Sequence, residues 1–188
     1  MISSTRFDIA LSKTSKEWCL LFDRTTIQVA QFADDLETFH QESAGFAINY
    51  EISAVLLRDI VQTMKATISG KSQVVGNFRF VHGETILPLL TLLGYVERTA
   101  LRADWTMQQI ESRVFRTSKL VPFMGNIEFR LYKKNASTTD EYFVQVRINE
   151  SILPIPGCSD KIFCPLTTYE QMWEYYLKNY DFTKSCSV

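Results

Sequence analysis

The apolar residues of this chain repeat with one period in its first half and with another in its second half. From Ile27 to Gln41, and from about Ser53 to Ile68, they recur every three or four residues, which predicts amphipathic helices. In "NIEFRLYKK" and "EYFVQVRI" they alternate with polar residues, which predicts an antiparallel hairpin across the turn-like "NASTTD". The fold therefore has to combine helices with a sheet.

The segment between these halves predicts how the sheet is arranged. "VVGNFRFV", from Val74 to Val81, is short and rich in β-branched and aromatic residues, as buried strands are. A helix is predicted from Thr85 to Leu93, with Gly94 at its end and Pro88 tolerable only in its first turn. Helix, strand and helix in this order favour a parallel α/β layer, so we expect a mixed, mainly parallel sheet flanked by helices.

Composition and length bound the class of protein. The chain has 188 residues, the length of one domain or of a piece of one. Hydrophobic residues make up 46% of the chain and charged residues 22%, which argues against disorder.

The segment "TTYEQMWEYYLKNY" predicts a last helix, in which Thr167 and Glu170 have the spacing of a capping box.

Charge and hydropathy exclude two classes of partner. The net charge of -1 provides no basic field, so no nucleic-acid partner is expected. The longest nearly apolar stretch, Thr85 to Val96, is too short to cross a bilayer. The first residues, "MISSTRFDIALSKTSKEW", contain no apolar core of the signal-peptide type. Oligomeric state cannot be predicted from these features.

One of only two histidines lies beside a carboxylate at the junction of the predicted strand and helix. His82 and Glu84 are two residues apart, so on a continuing strand both side chains leave the same face. That end of an open α/β sheet is where ligands bind, and the N-terminus of the next helix suits a phosphate. The alternative is that His82 is a hydrogen-bonded structural residue and that Glu84 serves only the helix.

The cysteines and two sequons bear on the compartment. Cys158 and Cys164 lie in the Pro- and Gly-rich "LPIPGCSDKIFCPL" with no histidine nearby, so a zinc site is not expected. They are either two unrelated thiols or a local disulfide, which would stabilise the fold by roughly 2 kcal/mol in the chain-entropy model. Sequons at Asn135 and Asn149 are compatible with glycosylation in a secreted protein but are also frequent by chance.

Several stretches together resemble a known family. "FVHGETILPLLTLLGY" resembles the second signature of the histidine acid phosphatases (histidine phosphatase superfamily, branch 2), in the His-x-Glu form of the multiple inositol polyphosphate phosphatases. The resemblance extends over most of the chain, from about Glu17 to Cys186, through these further segments: "EWCLLFD", "GFAINYEISAVLLRDIV", "FRTSKLVPFMGNIEFRLYK", "VQVRINESILPIPGC" and "FCPLTTYEQM".

The resemblance implies a fold and a role for each site residue. Residues 1–50 would be the end of a helical cap domain, and residues 51–188 the C-terminal half of the α/β phosphatase core. His82 would hydrogen-bond the transferred phosphoryl group and Glu84 would protonate the leaving oxygen, with Gly83 in place of the usual Ala. The family needs no metal or cofactor, and its substrates are small phosphate esters such as inositol polyphosphates and bisphosphoglycerate.

One departure from the family is serious. The nucleophile of the family is the His of an Arg-His-Gly-x-Arg-x-Pro motif, and neither His40 nor His82 lies in such a sequence. We therefore expect this chain to be a C-terminal fragment that lacks the nucleophile, or else a catalytically silent binding or structural module. The resemblance also implies the secretory pathway: the lumen of the endoplasmic reticulum, the cell exterior or a membrane-associated site.

Two further groups complete the expectations. Cys19 and Cys186 would have disulfide partners in the missing half of the fold. The basic residues Arg113, Arg116 and Lys119 cluster before a Val-Pro step. They could favour a polyanionic substrate, although a solvated basic face is the more ordinary interpretation.

Overall fold

The computed structural model describes residues 22–134, 141–158 and 162–187. The helices are α1 Arg24–Glu42, α2 Ala47–Glu51, α3 Ala54–Ile68, α4 Gly83–Leu92, α5 Met107–Ser112, α6 Thr117–Leu120, α7 Leu166–Met172 and α8 Phe182–Cys186, with a π-helical turn at Tyr175–Asn179. The strands are β1 Ile127–Lys134, β2 Glu141–Ile148, β3 Ser151–Leu153 and β4 Cys164–Pro165. The two long helices α1 and α3 lie where the apolar period predicted them.

The sheet is built around β2. Strand β1 pairs with the whole of β2 in the predicted hairpin, from Ile127 opposite Ile148 to Lys134 opposite Glu141. Strands β3 and β4 pair with the two ends of β2, and every pairing between the described strands is antiparallel. The predicted combination of helices and sheet is confirmed, whereas the expectation of a mainly parallel sheet receives no support. The loop of the hairpin, residues 135–140, lies outside the described residues.

Helix α4 forms the centre of the core. Five leucines of this segment are buried at 1% exposure or less, and they are Leu87, Leu89, Leu90, Leu92 and Leu93. Full burial of such a side chain stabilises a fold by about 1.5 to 3 kcal/mol relative to leaving it in water. Phe39 of α1, Leu57 of α3 and Val144 of β2 belong to the same buried cluster. The helices and the sheet therefore share a single apolar core.

The predicted strand from Val74 to Val81 is wrong for the structure described here. These residues have no regular secondary structure, and no described strand pairs with them. Val75, Phe78 and Phe80 are almost fully exposed, at 107%, 85% and 97%. β-Branched and aromatic residues form a strand only where a neighbouring strand bonds to the backbone, and the described residues provide no such strand here.

Two helix boundaries also differ from expectation. Helix α4 begins at Gly83, so Pro88 is its sixth residue rather than part of its first turn. Because proline has no N–H, the carbonyl of Glu84 lacks its partner within the helix.

The last helix begins at Leu166 after Pro165, without the expected capping box, and is followed by the π-helical turn. Burial of Leu166 and Tyr169 anchors this start one residue ahead of the predicted cap.

A buried ion pair attaches the segment of α5 and α6 to α1. The Arg113 guanidinium donates to Asp35 at 2.8 Å, and both side chains are almost completely buried. The second oxygen of the Asp35 carboxylate accepts bonds from the backbone N–H and the hydroxyl of Thr117 at 2.9 and 2.7 Å. Another guanidinium N–H donates to the carbonyl of Ile110 at 2.6 Å. The buried charges are thus satisfied by partners from both segments.

We expect Asp35→Ala to lower the free energy of unfolding by about 3 to 5 kcal/mol, because it leaves the Arg113 charge buried without its partner. Asp34→Ala removes the same group from the next position of the same helix, where the side chain is exposed. That control is expected to change the free energy by less than about 0.5 kcal/mol. Urea denaturation followed by circular dichroism measures both, and equal effects of the two substitutions would contradict the role of the pair.

Candidate functional site

His82 and Glu84 lie at the N-terminal end of α4. His82 is the residue that precedes the helix, with an extended backbone at φ -92° and ψ 169°, and Glu84 lies in the first turn. Both residues are exposed. The carbonyl of His82 accepts the N–H groups of Thr85 and Ile86 at 3.1 and 3.4 Å. No side chain of the described residues caps this end of the helix, so the positive end of the helix dipole carries no side-chain cap there.

A cavity of about 180 Å³ opens beside Glu84. Its lining consists of Gln41, Glu42, Ile48, Asn49, Ile52, Glu84 and Pro88. His82 is not among these residues, and the cavity brings Glu84 together with the end of α1 and with α2. The volume is smaller than the roughly 300 to 1,000 Å³ of pockets that enclose a whole drug-sized ligand. The cavity would hold part of a larger molecule.

The break between α1 and α2 forms one wall of the cavity. The N–H of Gly45 donates to the carbonyl of Phe39 at 2.9 Å, which turns the chain back over the end of α1. A Cβ atom on Gly45 would clash with the backbone of His40, so this approach requires glycine. The Asn49 side-chain amide donates to the His40 carbonyl at 2.7 Å and thereby holds α2 against α1.

A buried pair of hydroxyl groups attaches the same break to α4. The side chains of Ser43 and Thr91 are 2.7 Å apart, and Thr91 also donates to the carbonyl of Leu87 at 2.9 Å. Both residues are completely buried. The backbone at the end of α1, next to Glu42, is therefore held against α4.

Glu42 and Glu84 interact electrostatically. Burial is the main factor that raises the pKa of Glu42, and the negative charges of Glu84 and Glu37 raise it further. Sequence reasoning identified Glu84 but missed Glu42, Gln41 and Asn49. Their only signal was their position around a helix break at Gly45, and nothing in the sequence indicated that this break packs against the start of α4.

The loop after α6 packs against the start of α4. The side chain of Val121 would contact a Cβ atom on Gly83 at 3.7 to 3.8 Å, an ordinary van der Waals distance. An alanine, the residue usual in the family signature that this stretch resembles, would therefore fit at Gly83.

The side-chain amide of Asn149 holds the loop after α6. It donates to the carbonyls of Lys119 and Leu120 at 3.3 and 3.2 Å and accepts the N–H of Asn126 at 3.1 Å.

These bonds give Asn149 a structural role in the loop, while its glycosylation stays a prediction. The other sequon position, Asn135, lies outside the described residues.

The expected basic cluster does not form one face. Arg113 is buried in its ion pair with Asp35. Arg116 donates to the carbonyls of Glu111 and Arg113 at 2.6 and 3.3 Å. Only Lys119 has an exposed side chain among the three basic residues. Neither a solvated basic face nor a phosphate clamp is formed by these three residues in the described structure.

The cysteine prediction is confirmed for one pair. Cys158 and Cys164 form a disulfide, with their Cα atoms 5.9 Å apart. Cys186 is a free, exposed thiol. Cys19 lies outside the described residues.

The described ranges contain neither a candidate metal site nor a candidate membrane span. No group of three or more His, Cys, Asp and Glu side chains there could hold a metal ion. No helix within those ranges is both long and apolar enough to span a membrane.

The comparison with protein families identifies the chain. The model of the histidine phosphatase superfamily, branch 2, matches residues 1–149. The chain belongs to this superfamily. The match includes α1 to α6, the cavity, His82 and Glu84.

Three relatives are named multiple inositol polyphosphate phosphatase 1. The human protein is 31% identical over 97% of this chain and 37% of its own length. The Gallus gallus protein is 29% identical over 97% and 42%, and the Dictyostelium discoideum protein is 26% identical over 97% and 36%. The chain therefore spans well under half the length of these relatives.

We expect Glu42→Gln to stabilise the fold at about pH 7 but not at about pH 4. A carboxyl whose pKa is raised by folding binds its proton more tightly in the folded state, so stability falls as the pH rises from the ordinary value of 4.5 through the raised one. Above the raised pKa, Glu42 is ionised and its charge destabilises the folded state, and Gln at this position removes that destabilisation. Below the ordinary pKa, Glu42 is already neutral and Gln gives no such gain. Urea denaturation at both pH values measures the difference.

The control for this comparison is Glu111→Gln, which changes an exposed carboxylate on α5. Its effect is expected to be the same at the two pH values. A gain for Glu42→Gln that is equal at both pH values would show that the charge of Glu42 is not its cause.

Proposed function

We propose that this chain supplies the acid half of a phosphomonoesterase site. The activity would be that of a histidine acid phosphatase on small phosphate esters, either inositol polyphosphates or bisphosphoglycerate. The observation that carries the proposal is the position of Glu84, on a cavity at the uncapped N-terminal end of a buried helix. Membership of the superfamily and the names of the three relatives support the reaction class.

In the proposed reaction, a histidine nucleophile attacks phosphorus and the bond from phosphorus to the alcohol oxygen breaks. The departing oxygen takes the carboxylic proton of Glu84, which leaves a carboxylate. Water then attacks phosphorus in the phosphohistidine intermediate and gives a proton to the Glu84 carboxylate, while the bond from phosphorus to the histidine nitrogen breaks. Inorganic phosphate leaves, and both the imidazole and the carboxylic acid are restored. His82 donates a hydrogen bond to the phosphoryl oxygens, and the first N–H groups of α4 stabilise the same negative charge.

We propose that the nucleophile comes from polypeptide outside this sequence. The chain has two histidines and no Arg-His-Gly-x-Arg-x-Pro motif. The exposed apolar segment from Val74 to Val81 leads directly to His82 and has no partner strand among the described residues. A strand paired along this segment would deliver its own side chains next to His82. In this proposal residues 1–50 close a helical cap, and residues 51–188 form half of the core.

A second candidate function is a catalytically silent module of the same fold. It is favoured by one observation, the absence of the nucleophile motif from the sequence. Such a module would keep the phosphate-binding features at the start of α4 without turnover.

We also propose that the protein functions in the secretory pathway, either in the lumen of the endoplasmic reticulum, outside the cell or associated with a membrane. The disulfide between Cys158 and Cys164 supports this location, because disulfides persist in oxidising compartments and are rare in the cytosol.

The purified chain is expected to release no phosphate from phytate or p-nitrophenyl phosphate, at acid or neutral pH, above a His82→Ala control. The physical reason is that an acid without a nucleophile cannot complete covalent catalysis. Colorimetric phosphate detection over a long incubation is the measurement. Release that His82→Ala abolishes would contradict the assignment of the nucleophile to other polypeptide.

A longer, active protein that contains this chain would test Glu84 directly. Glu84→Gln is expected to slow hydrolysis of phytate by at least about 100-fold, because proton donation contributes roughly 10² to 10⁴ to such steps. Hydrolysis of p-nitrophenyl phosphate should change far less, since p-nitrophenolate leaves without a proton. Steady-state kinetics on both substrates make the comparison, and equal losses would argue that Glu84 is not the acid.

A further inference from the structure

We propose that the side-chain amide of Asn149 closes the loop of residues 121–125, and that this closed loop and a glycan on Asn149 exclude each other. The sequon Asn149-Glu150-Ser151 is either a glycan acceptor or a chance match, and the proposal favours the second interpretation. It goes beyond the proposed reaction and does not depend on it.

The backbone at Asn149 gives a first reason for this residue type. Asn149 and Glu150 form the two-residue loop between β2 and β3, and Ile148 pairs with Ser151 on either side of it. Both loop residues have positive φ, at 47° and 65°. Hairpin loops of this kind favour asparagine, because it adopts the left-handed conformation more readily than most residues with a side chain. The turn therefore explains the asparagine without a glycan.

The side chain of Asn149 spans the two ends of the loop of residues 121–125. Its Nδ2 donates to the backbone carbonyls of Lys119 and Leu120, at 3.3 and 3.2 Å, immediately before the loop. Its Oδ1 accepts the backbone N–H of Asn126, at 3.1 Å, immediately after the loop. The backbone N–H of Asn149 also donates to the carbonyl of Asn126, at 2.9 Å. One residue thus joins the end of α6 to the residue before β1.

The loop that Asn149 closes is tightly turned. The N–H of Gly125 donates to the carbonyl of Pro122 at 2.7 Å. Met124 has a φ of 64°, a conformation that is costly for a residue with a side chain. The side chains of Phe123 and Met124 are exposed at the tip of the loop. A backbone of this kind persists only where its surroundings hold it, and the amide of Asn149 provides such a restraint at both ends.

Glycosylation would need the same amide nitrogen that closes the loop. Transfer joins the anomeric carbon of a sugar to Nδ2, while the bond from that carbon to the pyrophosphate of a lipid-linked donor breaks and one amide hydrogen leaves as a proton. In the closed loop, Nδ2 faces two backbone carbonyls and Oδ1 faces a backbone N–H, so the amide has to leave the loop to receive a sugar. A Cβ atom on Gly125 would lie only 3.2 Å from Oδ1, so a sugar-bearing amide finds little space to return.

The test follows glycan occupancy when the chain is produced in a secretory host behind a cleavable signal sequence. Ser137→Ala removes the sequon at Asn135, so that Asn149 carries the one remaining sequon of the sequence. Mass spectrometry of the tryptic peptide of residues 148–161 measures occupancy in the folded, soluble fraction. We expect no glycan at Asn149 in that fraction, because the folded chain holds the amide in the loop.

A variant in the same background opens the loop and keeps the sequon. Gly125→Val introduces a Cβ atom that would lie 2.8 Å from the carbonyl oxygen of Pro122, so the backbone of the loop has to shift. We expect this change to release the amide and a glycan to appear at Asn149.

Two further variants separate the amide from the sequon without any glycan present. Asn149→Asp keeps the size of the side chain but turns the donor Nδ2 into an oxygen that faces two carbonyls. It is expected to lower the folding equilibrium constant by at least about tenfold, since a buried hydrogen-bond partner is lost. Ser151→Ala removes the sequon, leaves the amide in place and should change the constant by less than about threefold. Urea denaturation of both proteins, made without glycosylation, is the measurement.

Three outcomes would overturn the proposal. A glycan on Asn149 in the folded fraction would show that glycan and closed loop coexist. Absence of a glycan in Gly125→Val would show that the sequon is ignored whatever the loop does. Equal stability of Asn149→Asp and Ser151→Ala would show that the amide does not close the loop.

Discussion

Helix α4 has to be buried on almost every side, and the arrangement of the other elements follows from that requirement. Its leucines leave no polar face, so α1, α2 and α3 cover it on one side and the sheet completes the core. Among the described residues, its N-terminal end is the part left open, and that end holds His82 and Glu84. Side chains on a rigid, buried helix are held more precisely than side chains on a loop, which suits the role proposed for these two residues.

The buried ion pair serves the same arrangement from the other side of α1. Asp35 binds Arg113 and Thr117 and so holds the start of α6. Val121, the residue after α6, lies where a side chain at Gly83 would meet it. The ion pair thus helps to position the loop that lies beside the first turn of α4. Arg113, which the sequence suggested as a ligand for phosphate, is instead the ion-pair partner of the buried Asp35 carboxylate.

Local sequence patterns predicted the elements that need no distant partner. The period of the apolar residues located α1, α3 and the hairpin, and Gly94 and Gly70 marked helix ends where the backbone adopts positive φ. The short loop between Cys158 and Cys164 allowed a local disulfide beside two free thiols, and the structure has the disulfide. The wrong or missing predictions have one cause, which is dependence on residues far away in the sequence. This applies to the conformation of Val74 to Val81, to the lining of the cavity and to the ion pair of Arg113, none of which a local pattern specifies.

The exposed segment before His82 has a consequence for the behaviour of the chain in solution. Val74 to Val81 combines β-branched and aromatic residues, a single charge and no proline, which is the composition of segments that stack into intermolecular sheets. Its only charged side chain, Arg79, is neutralised by an ion pair with Asp59. Such a segment promotes association between copies of the chain unless another strand covers it, so its exposure works against the solubility of the isolated polypeptide.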